Sequence, residues 1–272
     1  MDFSEKLEKR WKQVNSMLCV GIDPMLSRIP DEYGKTDSER LWSFCKSVVD
    51  VTHEYVCAFK PQIAFFAAVG HEAILKDLIG YIHADHPTIP VILDAKRGDI
   101  GSTAEQYAEE VFHRFGADAV TVNPYLGWDT VEPFLSVTDR GVIVLCRTSN
   151  PGSDWLQLQP PENPIYQQIA RRVDEAKNRN LLLVVGATKI NELSTLRKMC
   201  PETTFLVPGI GEQGGDAKQV IQLGRRTEGG GLIVNVSRSI LYGSIPNQMA
   251  PEQISSRARS FATQLVAYSG DS

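Results

Sequence analysis

A chain of 272 residues with 42% hydrophobic content is long enough to bury a sizeable core, as one large α/β domain over residues 1–272 or as two small ones. A formal net charge of -5 and a pI near 5.6 argue against a nucleic-acid-binding surface. No uninterrupted apolar run approaches membrane-spanning length, and residues 1–15 are charged and amphipathic, unlike a secretory signal.

Phe3, Leu7 and Trp11 recur at helical spacing, so residues 4–13 read as a short amphipathic helix. Residues 17–22 form a compact apolar strand that ends in Asp23-Pro24, and 28–36 read as loop. Asp37 or Ser38 is expected to cap a helix running to about residue 55. Residues 56–59 make a second strand carrying Lys60 and stopped by Pro61, followed by a helix over 67–84. The third strand, 91–96, runs from Val91-Ile92-Leu93 into Asp94-Ala95-Lys96-Arg97-Gly98-Asp99. A strand's two-residue period puts Asp94 and Lys96 on one face. Burying an unpaired charge is costly, so two acids and a base at a strand end must compensate one another or meet a charged ligand.

The same strand–helix unit then repeats. Helices are expected over 102–115, 130–137, 164–178, 190–199, 217–223 and 251–268. Strands are expected over 117–122, ending in Asn123-Pro124, and over 141–146, ending in Arg147-Thr148-Ser149-Asn150. Strands over 181–185, 204–207 and 231–236 follow, the last two ending in Pro208-Gly209-Ile210-Gly211 and Ser237-Arg238-Ser239. Eight short, uniformly apolar strands alternating with helices point to a closed α/β (β/α)8 TIM barrel with an additional N-terminal helix. A doubly wound open sheet is disfavoured, because the first strand ends in Asp23-Pro24 rather than in a glycine-rich turn.

Such barrels carry their chemistry at the carboxyl ends of the strands. Those ends supply Asp23, Lys60, Asp94 with Lys96 and Asp99, Asn123, Thr148 with Ser149, the 208–216 loop and Arg238. This set suits a polar, anionic ligand. Gly209, Gly211, Gly214 and Gly215 let backbone N–H groups approach an anion, Gln213 adds donors, and Arg238 can fork two hydrogen bonds to a phosphate. The five scattered cysteines, Cys19, Cys45, Cys57, Cys146 and Cys200, read as reduced core thiols of a cytoplasmic protein. No CxxC or HExxH spacing calls for a metal. The five histidines receive no catalytic role, and the four tryptophans read as packing residues.

Four motifs now carry a resemblance: Phe59-Lys60-Pro61, Asp94-x-Lys96-x-x-Asp99-Ile100-x-x-Thr103, the Pro208 to Asp216 loop with Gln213, and Arg238-Ser239-Ile240. Together, and over nearly the whole chain, the sequence resembles the orotidine 5'-phosphate decarboxylase family, in its longer bacterial class. The resemblance implies cofactor-free and metal-free loss of CO2 from orotidine 5'-phosphate to give UMP, with Lys96 as electrostatic stabiliser and proton donor to C6. It implies a Lys60–Asp94–Lys96–Asp99 array, with Asp94 beside the substrate carboxylate and Asp23 and Lys60 at the ribose. It places Ser149, with Thr148 close behind, at the pyrimidine, and Gln213 and Arg238 at the phosphate, with Pro208 at the head of that loop. It also implies a homodimer in which Asp99, Ile100 and Thr103 reach the partner's site. Residues 149–164 are expected to form a lid over the base. Ser237, where many shorter members have Gly, is a departure. Two rivals are a magnesium-dependent sugar-phosphate decarboxylase or aldolase of the same superfamily and a noncatalytic nucleotide-binding protein. The first would need carboxylates where Asn123 and Arg147 stand, and simple binding does not require two acids beside an anion.

Overall fold

The computed structural model describes residues 1–211, 214–243 and 249–270. Among these, eight parallel strands form one sheet in the order β2-β1-β8-β7-β6-β5-β4-β3. They are β1 Leu18–Ile22, β2 Ala58–Pro61, β3 Ile92–Arg97, β4 Ala119–Val122, β5 Gly141–Arg147, β6 Leu181–Val185, β7 Phe205–Pro208 and β8 Leu232–Val236. The two ends of that order meet. Phe59 N–H donates to the Pro90 carbonyl at 3.1 Å, and parallel bridges join Phe59 to Val91 and Gln62 to Asp94. The result is the expected (β/α)8 barrel.

The strands are apolar on both faces because both are covered. Outward residues such as Val20, Phe59, Leu93 and Val120 pack against the surrounding helices. Inward residues Cys19, Ala58, Ile92, Ala119, Ile143, Leu182, Leu206 and Ile233 form a separate interior cluster with Phe3 and Leu7. Those two come from the N-terminal helix α1, Phe3–Val14, which closes the amino end of the barrel. A capping box between Asp2 and Glu5 starts this helix. Gly141 makes room for it, since a Cβ there would lie 2.5 Å from the Phe3 ring.

Two residues further along several strands, the interior turns polar. Ala58 is succeeded by Lys60, Ile92 by Asp94 and then Lys96, Ala119 by Thr121, and Ile233 by Asn235. The strand period therefore stacks a charged layer on an apolar floor, and the site stands on that layer.

Several local expectations are corrected. The helix over 67–84 is two helices, Ile63–Ala67 and Glu72–Asp85, separated where Gly70 takes φ +70°. Thr36, not Asp37 or Ser38, caps the helix Asp37–Thr52, in a box with Glu39. The 28–36 loop holds a 3-10 turn at Asp31–Tyr33. Trp155 is 75% exposed rather than packed. All five cysteines are free and buried.

Candidate active site

A cavity of about 460 Å³ opens at the carboxyl ends of the strands. Of the predicted site residues, Asp23, Lys60, Asp94, Lys96, Thr148, Ser149, Pro208 and Arg238 line it. A cavity of similar size, about 470 Å³, lies at the opposite end beside Trp11 and Arg226. Barrel chemistry belongs to the carboxyl face, and the charged layer is there.

At the centre is a three-membered ion network. Lys60 Nζ donates to Asp94 Oδ2 at 2.7 Å, and Lys96 Nζ donates to Asp94 Oδ1 at 2.7 Å. The Lys60 and Asp94 side chains are 5% and 11% exposed, whereas the Lys96 side chain is 47% exposed. Burial alone would push the Asp94 pKa up, but the charges of Lys60 and Lys96 outweigh it and hold the carboxyl well below the usual range. For Lys60, burial opposes the charge, yet Asp94 and Asp23 raise its pKa above that of an ordinary lysine. Lys60 and Asp94 are therefore held ionised.

The backbone at this point is unusual. Lys96 has φ +46°, a left-handed conformation that costs a non-glycine residue about 1–3 kcal/mol. The β3–β4 register also shifts between Leu93 and Arg97. A bulge of this kind re-aims side chains beside active sites.

Asp99, the fourth member of the expected array, is not part of the network within one chain. Its Oδ1 accepts from the Ile100 N–H at 2.8 Å, and it is absent from the cavity lining together with Ile100 and Thr103. Ile100 is 60% exposed. Gln213 lies outside the described residues.

On the opposite wall, Asp23 Oδ1 and Ser237 Oγ are buried without hydrogen-bond partners among the described residues. Burying polar atoms in this way is costly unless a ligand engages them. Nearby, the glycine loop is sterically committed. A Cβ on Gly211 would lie 2.4 Å from Ser239 Oγ, and one on Gly215 would lie 2.5 Å from the Ala187 Cβ. Asp216 caps the next helix, Ala217–Gly224. Arg238 opens the short helix Arg238–Leu241 on the same rim.

After β5, the two hydroxyl residues differ. The Thr148 hydroxyl donates to Asn150 Oδ1 at 2.7 Å and accepts from Gln157 Nε2 at 3.0 Å. Ser149 is tied through its carbonyl, which accepts from the Thr188 hydroxyl at 3.1 Å. That difference leaves Ser149 the better placed of the two to meet a ligand.

Sequence reasoning passed over three groups. Arg147, 1% exposed, does not line the cavity; its guanidinium reaches Glu192, Asp154, Ser153 and Gln157. It thereby anchors the turn Pro151–Ser153 and the helix Asp154–Gln157 that follow it. Thr121 and Asn235 face the interior and are 1% and 8% exposed. The available signal was a polar residue inside an otherwise apolar barrel strand. Among the described residues no three His, Cys, Asp or Glu side chains group as a metal would require.

The model of the orotidine 5'-phosphate decarboxylase / HUMPS family matches residues 16–252. The chain is 53% identical over 246 residues to an orotidine 5'-phosphate decarboxylase of an Azoarcus species, covering 89% of this chain and 90% of the relative. It is 48% identical over 253 residues to that of Ralstonia pickettii, covering 92% and 93%. Its fold matches a Leishmania donovani OMP decarboxylase structure with TM-score 0.84 at 37% identity, over 99% of both chains.

Proposed function

This chain belongs to the orotidine 5'-phosphate decarboxylase family and converts orotidine 5'-phosphate to UMP in pyrimidine biosynthesis, and we propose that Lys96 is the group that stabilises and protonates the reacting carbon. In this reading the bond from C6 to the carboxylate breaks and its electron pair stays on C6 as CO2 departs. The carbanion then takes a proton from the Lys96 ammonium, which regains one from solvent. The developing charge has little delocalisation, so a fixed cation beside it is the main source of stabilisation.

One observation carries the choice of lysine. Lys60 and Lys96 grip the same carboxylate, but Lys60 is nearly sealed while Lys96 is half exposed to the cavity. Lys60 maintains the ionised state of Asp94, and Lys96, the more open of the two, meets the reacting carbon. Asp94 beside the substrate carboxylate adds a repulsion that is relieved when CO2 leaves.

The remaining roles follow the walls of the cavity. Asp23 and Lys60 take ribose hydroxyls, and the orphaned Asp23 Oδ1 supports that assignment. Ser149, backed by Thr148, takes the pyrimidine edge. Arg238, with Gln213 and the glycine loop that starts at Pro208, takes the phosphate, whose binding energy organises the distant reacting centre. The segment 149–164 acts as a lid.

The working form in this reading is a cytoplasmic homodimer. Asp99, Ile100 and Thr103 do not line their own cavity, and in this reading they complete that of the partner. Exposed Ile100, Tyr125 and Leu126 near the β3 and β4 ends support an apolar contact there. The free, buried cysteines fit a reducing compartment.

The direct test follows the loss of absorbance as orotidine 5'-phosphate becomes UMP, in the presence of a chelator. Full turnover in chelator is expected. Loss of turnover that returns with magnesium would replace this mechanism with a metal-dependent one.

A further inference from the structure

We propose that Thr121 is a positioning residue for the reacting centre, its hydroxyl holding both the backbone of Lys96 and the carboxylate of Asp94. The inference deepens the reading of Lys96 as proton donor and rests on it. Thr121 lies on β4, one strand period beyond the floor residue Ala119, and is 1% exposed. Along this seam Leu93 pairs with Val120 and Arg97 with Val122. β3 therefore advances four residues while β4 advances two, and the N–H groups of Ala95 and Lys96 fall where the regular ladder is broken.

The Thr121 hydroxyl receives both of them. Its Oγ1 accepts from Ala95 N–H at 3.1 Å and from Lys96 N–H at 3.0 Å. A hydroxyl has two lone pairs and one proton. With both lone pairs engaged, the proton has one direction left, and Asp94 Oδ1 lies there at 2.8 Å. That same oxygen accepts from Lys96 Nζ at 2.7 Å. One hydroxyl thus ties down both ends of the Lys96–Asp94 pair, its donated proton occupying a lone pair of the oxygen that Lys96 also grips. It also secures the left-handed turn at Lys96 that directs the side chain.

A purely packing role for Thr121 predicts something different. Valine has the same shape without the hydroxyl, whereas serine keeps the hydroxyl and loses the methyl group. If the hydroxyl positions the pair, valine misplaces the ammonium relative to C6 while leaving the ribose and phosphate contacts in place. The damage then falls on kcat rather than on nucleotide affinity.

The experiment compares Thr121→Val and Thr121→Ser in steady-state turnover of orotidine 5'-phosphate, with UMP affinity measured by calorimetry. Thr121→Val is expected to lower kcat about 10- to 100-fold with UMP affinity within about threefold of the parent, and Thr121→Ser to restore kcat to within about threefold. Thr121→Ala supplies the same comparison with serine if the valine variant does not fold. A valine variant with kcat within about threefold of the parent, or a serine variant as impaired as valine, overturns the proposal. Lys96→Ala in the same assay separates the two failures. Turnover by that variant removes Lys96 from the chemistry and the proposal with it. An inactive Lys96→Ala beside an unimpaired Thr121→Val overturns the role of Thr121 alone.

Discussion

Lys60 Nζ and Asp94 Oδ2 lie 2.7 Å apart in the barrel interior, on the carboxylate edge opposite the one Lys96 occupies. The Lys60 side chain is 5% exposed, so Asp94 is its necessary counter-charge.

Removing that counter-charge leaves a buried ammonium uncompensated. Asp94→Ala is expected to abolish turnover and to destabilise the fold by about 3–5 kcal/mol in denaturant unfolding. Replacing both partners, Lys60→Met with Asp94→Leu, is expected to recover most of that loss. The sign of the pH dependence follows from the two shifts. Asp94 is depressed, so its contribution is complete above the ordinary carboxyl value of 3.8 and is lost as pH falls through its lower folded value. Lys60 is raised, so its contribution is complete below 10.5 and is lost as pH rises through its higher folded value. The pair's contribution to unfolding free energy, measured against the double variant, is therefore flat between those limits.

Arg238 stands on the rim beside the glycine loop. Arg238→Ala is expected to weaken UMP binding by about 1.5–3 kcal/mol, as for a charge-assisted hydrogen bond left unmade. Uridine, which lacks the phosphate, should bind both proteins equally. An equal loss for uridine would move Arg238 away from the phosphate.

Arg147 ties the segment after β5 to Glu192 through Asp154, Ser153 and Gln157. Arg147→Met is expected to speed amide hydrogen exchange over residues 150–157 while the strands keep their protection. Unchanged exchange there would mean that the segment is held by other contacts. UMP should slow the exchange in the parent protein if the segment closes over the base.

Asp99 does not line its own cavity, which makes the proposed dimer testable by mixing. Lys96→Ala and Asp99→Ala homodimers are each expected to be nearly inactive. Random exchange of subunits makes half of the dimers hybrids, each with one intact site, so activity should rise to about a quarter of the parent value. Mixed samples that remain inactive after exchange would place Asp99 in its own subunit's site.

The barrel was legible because each strand is an apolar run ended by a polar residue, and because the spacing between runs accommodates a helix. Asp94 and Lys96 were legible for a local reason, since their spacing along one strand dictates a shared face, and Lys60 because it ends an apolar strand just before Pro61. The split at Gly70 was hidden, because Phe66, Ala67, Ala68 and Ile74 extend an apolar pattern across the break. Thr121 was hidden for a longer-range reason. Its role depends on a register shift between two strands that no single stretch of sequence encodes. Arg147 is visible in the sequence only as the end of the fifth strand, because the Glu192 that its guanidinium reaches lies 45 positions away. Asp99 shows the same limit, for its charge is visible in the sequence but its absence from the cavity of its own chain is a property of the fold.

In the proposed mechanism Lys96 supplies both the cation and the proton. The measurement that meets it most directly is single-turnover decarboxylation of orotidine 5'-phosphate by Lys96→Ala, with UMP affinity determined on the same preparation. No detectable CO2 release is expected, with UMP binding retained to within about 1 kcal/mol because the ribose and phosphate contacts are elsewhere. Near-normal turnover by that variant would contradict it.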